Sequence, residues 1–180
     1  IPYKNNNLAK DVYGNVIKRS KTKVPYKVME AWRENYHGIE CRFKETNIII
    51  YGAVDDIWLD KKNNELIVVD YKSQAKEAKV SQDTYFDEDY KEGYQRQLDF
   101  YVYLLKAQNL ENDISEIGYL YVVNARGLED KFDNKIIFEP TLITVKINTD
   151  YLDDDIQKMI DTINSTKIPD PNERCKNCAY

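Results

Sequence analysis

Gly52-Ala-Val-Asp55-Asp56-Ile-Trp-Leu-Asp60-Lys-Lys-Asn-Asn64-Glu-Leu-Ile-Val-Val-Asp70-Tyr71-Lys72-Ser73 is the stretch that decides the fold. Its middle, Lys61 to Asn64, has turn composition. Its two arms are rich in apolar and β-branched residues and read as strands of one antiparallel hairpin. Side chains alternate along a strand, so Asp70 and Lys72 point to the same face. A carboxylate and an ammonium side by side at the end of an apolar strand are not ordinary core residues. The hairpin can bring Asp55 next to Asp70.

The strand pattern extends upstream. Ile39 to Lys44 is a candidate strand, Glu45 to Asn47 a turn, and Ile48 to Leu59 one long strand containing Gly52. Glycine inside a strand marks a bulge or a close backbone approach. With Glu65 to Lys72, these make a three-stranded meander. Before it, Val28, Met29, Trp32 and Tyr36 recur at helical spacing, Pro25 suits a first turn, and Gly38 suits the stop. Downstream, the polar residues 74–92 are too long for an idle connection and read as a mobile loop near a site. Tyr94 to Ala107 is the clearest helix, with Leu98, Tyr101, Val102 and Leu105 as its apolar stripe. Ile117 to Val123 reads as a buried strand, returned by that helix to lie parallel to an earlier one. Ile136 to Ile147 holds one or two strands around Pro140. Asp150 is placed to cap a helix from Tyr151 to Ile163, with Asp153, Asp154 and Asp155 near its positive end. This order predicts an α/β layer arrangement around a mixed sheet.

Composition narrows the classes. A chain of 180 residues, 42% hydrophobic and 32% charged, fits an ordinary globular domain. No apolar run approaches the roughly 20 residues that span a bilayer, and no secretory leader is visible. Three cysteines, Cys41, Cys175 and Cys178, cannot staple a chain this long, so a reducing, cytoplasmic setting is expected. The start at Ile-Pro suggests a piece of a longer chain. The net charge of -5 does not advertise a nucleic-acid binder. It is uneven, however: residues 1–48 carry 10 Lys/Arg against 5 Asp/Glu. That basic stretch is either a phosphate-binding arm or a solvated tail.

Two convergent carboxylates, Asp55 and Asp70, with the backbone carbonyl of Tyr71 make a hard-oxygen set that suits Mg²⁺ or Mn²⁺. Such an ion polarises a phosphodiester and acidifies water, and Lys72 can orient that water or neutralise phosphate charge. The plain alternative is a surface ion pair between Asp70 and Lys72, worth at most about 1 kcal/mol. Lys76, Lys79, Lys91 and Arg96 can reach phosphates or simply form a solvated face. The 15 tyrosines suit packing, and some can stack on bases.

The pattern Gly52-x-x-Asp55, a hairpin, then Val69-Asp70-x-Lys72 resembles the PD-(D/E)XK nuclease superfamily. Tyr94-Gln-Arg-Gln97-Leu-Asp-Phe-Tyr101 resembles the Gln-x-x-x-Tyr helix of its RecB-type branch and of the related CRISPR-adaptation nucleases. Gln97 and Tyr101 are four apart, on one helical face. The resemblance implies a restriction-endonuclease-like α/β core, a mixed central β-sheet flanked by helices. The domain is expected over residues 24–168, between a polar arm (1–23) and a Cys-containing tail (169–180). It implies a Mg²⁺-dependent deoxyribonuclease, an exonuclease acting on DNA ends or single strands. In it Asp55 and Asp70 hold the metal, Lys72 is the catalytic lysine, and Gln97 and Tyr101 line the site. An upstream ligand is expected from Glu40 or His37, with Glu40 preferred because hard cations favour oxygen. DNA is the implied partner, within a longer parent chain or a recombination or CRISPR-type complex. The tail, from Pro169 to Cys175-Lys-Asn-Cys178, resembles the cysteine-bearing end of those nucleases. It has too few cysteines for a four-ligand cluster, so no iron–sulfur cluster is expected. The other class kept open is a non-catalytic nucleic-acid-binding or assembly module on the same scaffold.

Overall fold

The computed structural model describes residues 26–126 and 136–171. The arm at 1–23 and the tail cysteines Cys175 and Cys178 lie outside the described residues. The chain divides into two compact units, one ending at Thr149 and the other beginning at Asp150. Among the described residues, no helix is long and apolar enough to cross a membrane.

The first unit opens with helix α1 (Tyr26–Arg33). Val28 and Trp32 are buried, but Tyr36 lies beyond the helix end and is almost fully exposed. The expected stripe therefore stops one turn early. Gly38 closes the turn with φ +62°, and its N–H donates to the Ala31 carbonyl at 3.1 Å. The chain then forms β1 (Ile39–Arg42) and β2 (Ile49–Gly52), an antiparallel pair standing as a sheet of its own.

The expected single strand from Ile48 to Leu59 is in fact two. Strand β2 pairs with β1, whereas β3 (Asp56–Asp60) pairs with β4 (Glu65–Ala75) in a second sheet. Between them the buried Val54 gives its N–H to the Trp32 carbonyl at 3.1 Å, so the helix end takes the bond a ladder would have used. Gly52 marks a close approach: an added Cβ there would sit 3.1 Å from the Tyr101 ring and 3.2 Å from Leu104. The three-stranded meander is thereby corrected to two hairpins in two sheets.

Helix α2 (Glu92–Lys106) follows a short 3₁₀ turn (Asp89–Lys91) and carries the chain over to β5 (Asp113–Ile114) and β6 (Ile117–Arg126). Strand β6 runs parallel to β4, as the crossover requires, with Val69 opposite Tyr119 and Ala75 opposite Ala125. Strand β7 (Ile137–Lys146) returns antiparallel to β6, giving the order β3-β4-β6-β7, with β5 also on β4. This is a mixed five-stranded sheet with flanking helices, an α/β fold of the restriction-endonuclease-like kind. Pro140 does not split β7. The Thr144 backbone faces the open edge of β7, and residues an even number apart share that side, so proline's missing N–H removes no ladder bond.

Leu98, Tyr101, Val102, Leu104 and Leu105 of α2 are buried with Leu66 and Val68 of β4, Leu120 and Val122 of β6, and Ile143 and Val145 of β7. Each such side chain contributes about 1.5–3 kcal/mol when fully buried. In the second unit, α3 (Leu152–Asn164) repeats Leu152, Ile156 and Ile160 at four-residue spacing. Its N-cap is Tyr151 without a side-chain cap bond, so the helix starts one residue later than a cap at Asp150 would give. Asp153, Asp154 and Asp155 do occupy the first turn, where the helix dipole favours them.

The left-handed backbone at Gly38 also faces the Gly52 carbonyl, only 2.7 Å from a would-be Cβ. Gly38→Ala is expected to lower stability by about 1–3 kcal/mol. At about 2–4 °C per kcal/mol for a chain this size, a thermal melt will show it.

Candidate active site

Strand β4 outlasts its neighbour β3. Asp56 pairs with Val69, and beyond that point no strand among the described residues lies on the β3 side of β4. Asp55 fills the first vacancy in the ladder: its Oδ2 accepts the Tyr71 N–H at 2.8 Å. A residue's N–H and C=O lie on the same side of a strand, so the Tyr71 carbonyl also faces the Asp55 edge.

On the core-facing side of β4, Asp70 is 1% exposed. Lys72 Nζ lies 2.5 Å from its Oδ2. The pair is a close ion contact, and neither Asp70 oxygen makes a well-aligned hydrogen bond. Burial pushes the Asp70 carboxyl above its usual range; Lys72 pulls against that, and Asp55 adds to it. The two carboxylates thus feel each other, as convergent groups do.

Helix α2 supplies the opposite wall. Lys72 Nζ donates to Gln97 Oε1 at 2.9 Å, and Gln97 Nε2 donates to the Tyr101 hydroxyl at 2.7 Å. The Tyr101 hydroxyl is held above its usual range by burial and by the charges on Asp70 and Asp55, with Gln97 opposing. The Tyr94 ring lies under the Lys72 ammonium at 4.5 Å. Asp55, Asp70, Lys72, Gln97 and Tyr101 therefore converge in one place. Asp56 turns to the other face, where it accepts bonds from the Tyr71 hydroxyl at 2.7 Å and from Trp58 Nε1 at 3.3 Å. The two upstream candidates lie on the elements before β2. His37 contacts Glu34 at 3.3 Å in the turn after α1, and Glu40 is on β1, opposite Tyr51. Among the described residues, no three His, Cys, Asp or Glu side chains gather as a metal cage.

The site still fits a hard cation. Asp70 presents buried oxygens with no well-aligned hydrogen bond, Asp55 is beside it, and a backbone carbonyl faces the same edge. Oxygen donors of this kind suit Mg²⁺ or Mn²⁺, which keep several waters rather than demand an all-protein cage.

The polar segment after β4 is firmly tied down. Asn124 Oδ1 accepts the Lys76 N–H at 3.0 Å, and its Nδ2 donates to the Lys76 and Ala78 carbonyls. Arg126 Nε donates to the Glu77 carbonyl, and the Gln82 amide exchanges two bonds with the Thr144 backbone. The segment then delivers Glu88 between two lysines, Lys76 Nζ at 2.5 Å and Lys91 Nζ at 2.9 Å. Lys91 is not part of a solvated face: it is 4% exposed, with its ammonium 4.0 Å from the Tyr85 ring centre. Tyr85 itself is buried and pushed up to about 12. Sequence reasoning missed this cluster. Its only trace was the density of Tyr, Lys and Glu just before α2.

The family model of the PD-(D/E)XK nuclease superfamily matches residues 9–180. No curated protein and no solved structure matches the chain significantly.

Hydrogen bonds from Lys76 and Lys91 hold the Glu88 carboxyl down at about 2, against an ordinary 4.5. A carboxyl lowered by folding adds stability above its unfolded pKa and loses it as pH falls through the folded value. Glu88→Gln is therefore expected to melt below the parent chain at neutral pH. The gap should close as pH falls from about 4.5 towards about 2, in melts recorded across that range.

Proposed function

Because this chain belongs to the PD-(D/E)XK nuclease superfamily, whose substrates are nucleic acids, we propose that it is a metal-dependent DNA nuclease that hydrolyses phosphodiester bonds. The observation that carries the reading is Asp70, buried, without a well-aligned hydrogen bond on either oxygen and paired with the Lys72 ammonium at 2.5 Å. A surface ion pair has no reason to be sequestered in this way. Burying a charge with so little compensation costs stability, and such exceptions cluster at functional sites.

Asp55 and Asp70 would hold Mg²⁺ or Mn²⁺, with the Tyr71 carbonyl as a third oxygen. When bound, the ion polarises the phosphodiester and lowers the pKa of water. The remaining work falls to the chain's own side chains. Lys72, fixed between Asp70, Gln97 and the Tyr94 ring, sets its ammonium against the attacking water and the developing phosphate charge. Gln97 fixes where that ammonium stands. Tyr101, hydrogen-bonded to Gln97, keeps the amide in orientation and lines the wall that receives the substrate. The Gln97–Tyr101 pair on α2 is like that of RecB-type nucleases, and supports exonuclease action on DNA ends or single strands.

Lys72→Ala and Asp70→Asn are each expected to lower cleavage of end-labelled linear DNA by at least about a hundredfold, with circular dichroism unchanged. Closed circular DNA should survive. Cleavage by both variants at the parent rate would overturn the assignment, and DNA binding without cleavage by the parent chain would move it to a binding module. Mg²⁺ should also raise the melting temperature of the parent chain, by an amount growing with concentration over its dissociation constant. Asp70→Asn should lose most of that shift.

A further inference from the structure

We propose that Tyr90 and Tyr94 form a stacking subsite for an unpaired nucleobase, placed to seat the nucleotide next to the scissile phosphate. This rests on the nuclease reading of the site and adds to it the state of the substrate: an unpaired strand rather than an intact duplex.

The two rings meet edge to face at 6.0 Å. The inner one, Tyr94, is half-buried against Lys72, with 4.5 Å between ring centre and ammonium. The outer one, Tyr90, is 56% exposed. These short contacts keep Tyr90 within about a nucleotide's reach of Lys72. An exposed aromatic ring is unremarkable by itself; the setting of this one is not. Its chain neighbour Lys91 is buried, and Tyr85 behind it is 3% exposed. Its backbone belongs to the 3₁₀ turn that leads directly into α2. Two ammonium groups lie over its ring, Lys76 Nζ at 5.9 Å and Lys91 Nζ at 6.0 Å from its centre. The ring is thus flanked by the Tyr94 ring and by two ammonium groups and still stands more than half exposed. Little side-chain freedom remains to be lost on binding, which is the condition for a strong stacking contact. Stacking is indifferent to sequence, because every base has a π-face, and it requires the base to have left its partner.

The test is a binding cycle that needs no cleavage. Anisotropy of labelled single-stranded oligonucleotides is measured in EDTA with the parent chain, Tyr90→Ala and Tyr90→Phe. Each is tested on a normal strand and on strands with one abasic site moved stepwise from the end. Tyr90→Ala should lose about tenfold in affinity for the normal strand, and Tyr90→Phe should keep most of it. One abasic position should cost the parent chain a similar factor and cost Tyr90→Ala nothing. Equal affinities for parent and Tyr90→Ala would overturn the subsite, as would a loss that ignores the abasic position or no single-strand binding by the parent chain. Melting curves of the variants show whether they fold. Cleavage of end-labelled single-stranded and duplex linear DNA with Mg²⁺, run on the parent chain alone, reports separately on the nuclease reading and can stand when the subsite falls.

Discussion

A carboxylate taken out of water without a proper donor is the constraint around which this molecule is arranged. Asp70 sits on the inner face of a central strand, where an aliphatic residue would serve stability better. Desolvation of an ion costs several kcal/mol even after relaxation. Here the compensation is a single misaligned ammonium, itself shared with Gln97 and a tyrosine ring. Keeping two opposite charges in such a place demands rigid walls. Strand β4 has β6 along one side and β3 along part of the other, and α2 covers the face on which the charges lie. The ladder to β3 ends two residues before Tyr71, and that early end leaves the edge where Asp55 and the Tyr71 carbonyl meet. The cost in stability and the chemical opportunity come from the same geometry.

The cluster at Lys76, Glu88 and Lys91 solves a different problem. A polar segment between β4 and α2 cannot be fixed by apolar packing alone. It is held by amide and guanidinium groups of β6, by one glutamine reaching β7, and by a carboxylate between two lysines. Exposed ion pairs contribute little singly. This one includes a buried lysine whose ammonium also lies over an aromatic ring, so removing its carboxylate partner would strand a charge. The result is a rigid approach to the N-terminus of α2, where Tyr94 and Gln97 are presented to Lys72.

Much of this was legible in the sequence, for physical reasons. An Asp and a Lys two apart at the end of an apolar strand must share a face, and Gln97 and Tyr101 must share one turn of a helix. The parallel return to β6 followed from the length of the connection. What escaped depended on distant partners. Gly52-Ala53-Val54 has strand composition, and only the Trp32 carbonyl, which takes the Val54 N–H, breaks the run into two strands. Tyr36 keeps the spacing of its stripe but falls past Arg33, where α1 ends. Lys91 reads as a surface charge until Tyr85 and Glu88 are brought around it. Asn124 and Gln82 bind backbone 46 to 62 residues away in sequence, beyond any local pattern. The placement of Asp55 beside Asp70 was foreseen, but that its carboxylate would stand in for a missing strand was not.

The Gln82 amide has a bearing on how copies of this chain coexist. An open β-edge offers regularly spaced donors and acceptors, a template on which a stray strand from another molecule can grow. Strand β7 would extend such an invitation along its outer side. Gln82 occupies both backbone groups of Thr144 with one side chain, and Pro140 four residues earlier has no N–H to offer. A foreign strand trying to add there would find one rung taken and another missing. The edge is spoiled as a seed for aggregation without a single charged residue at either position.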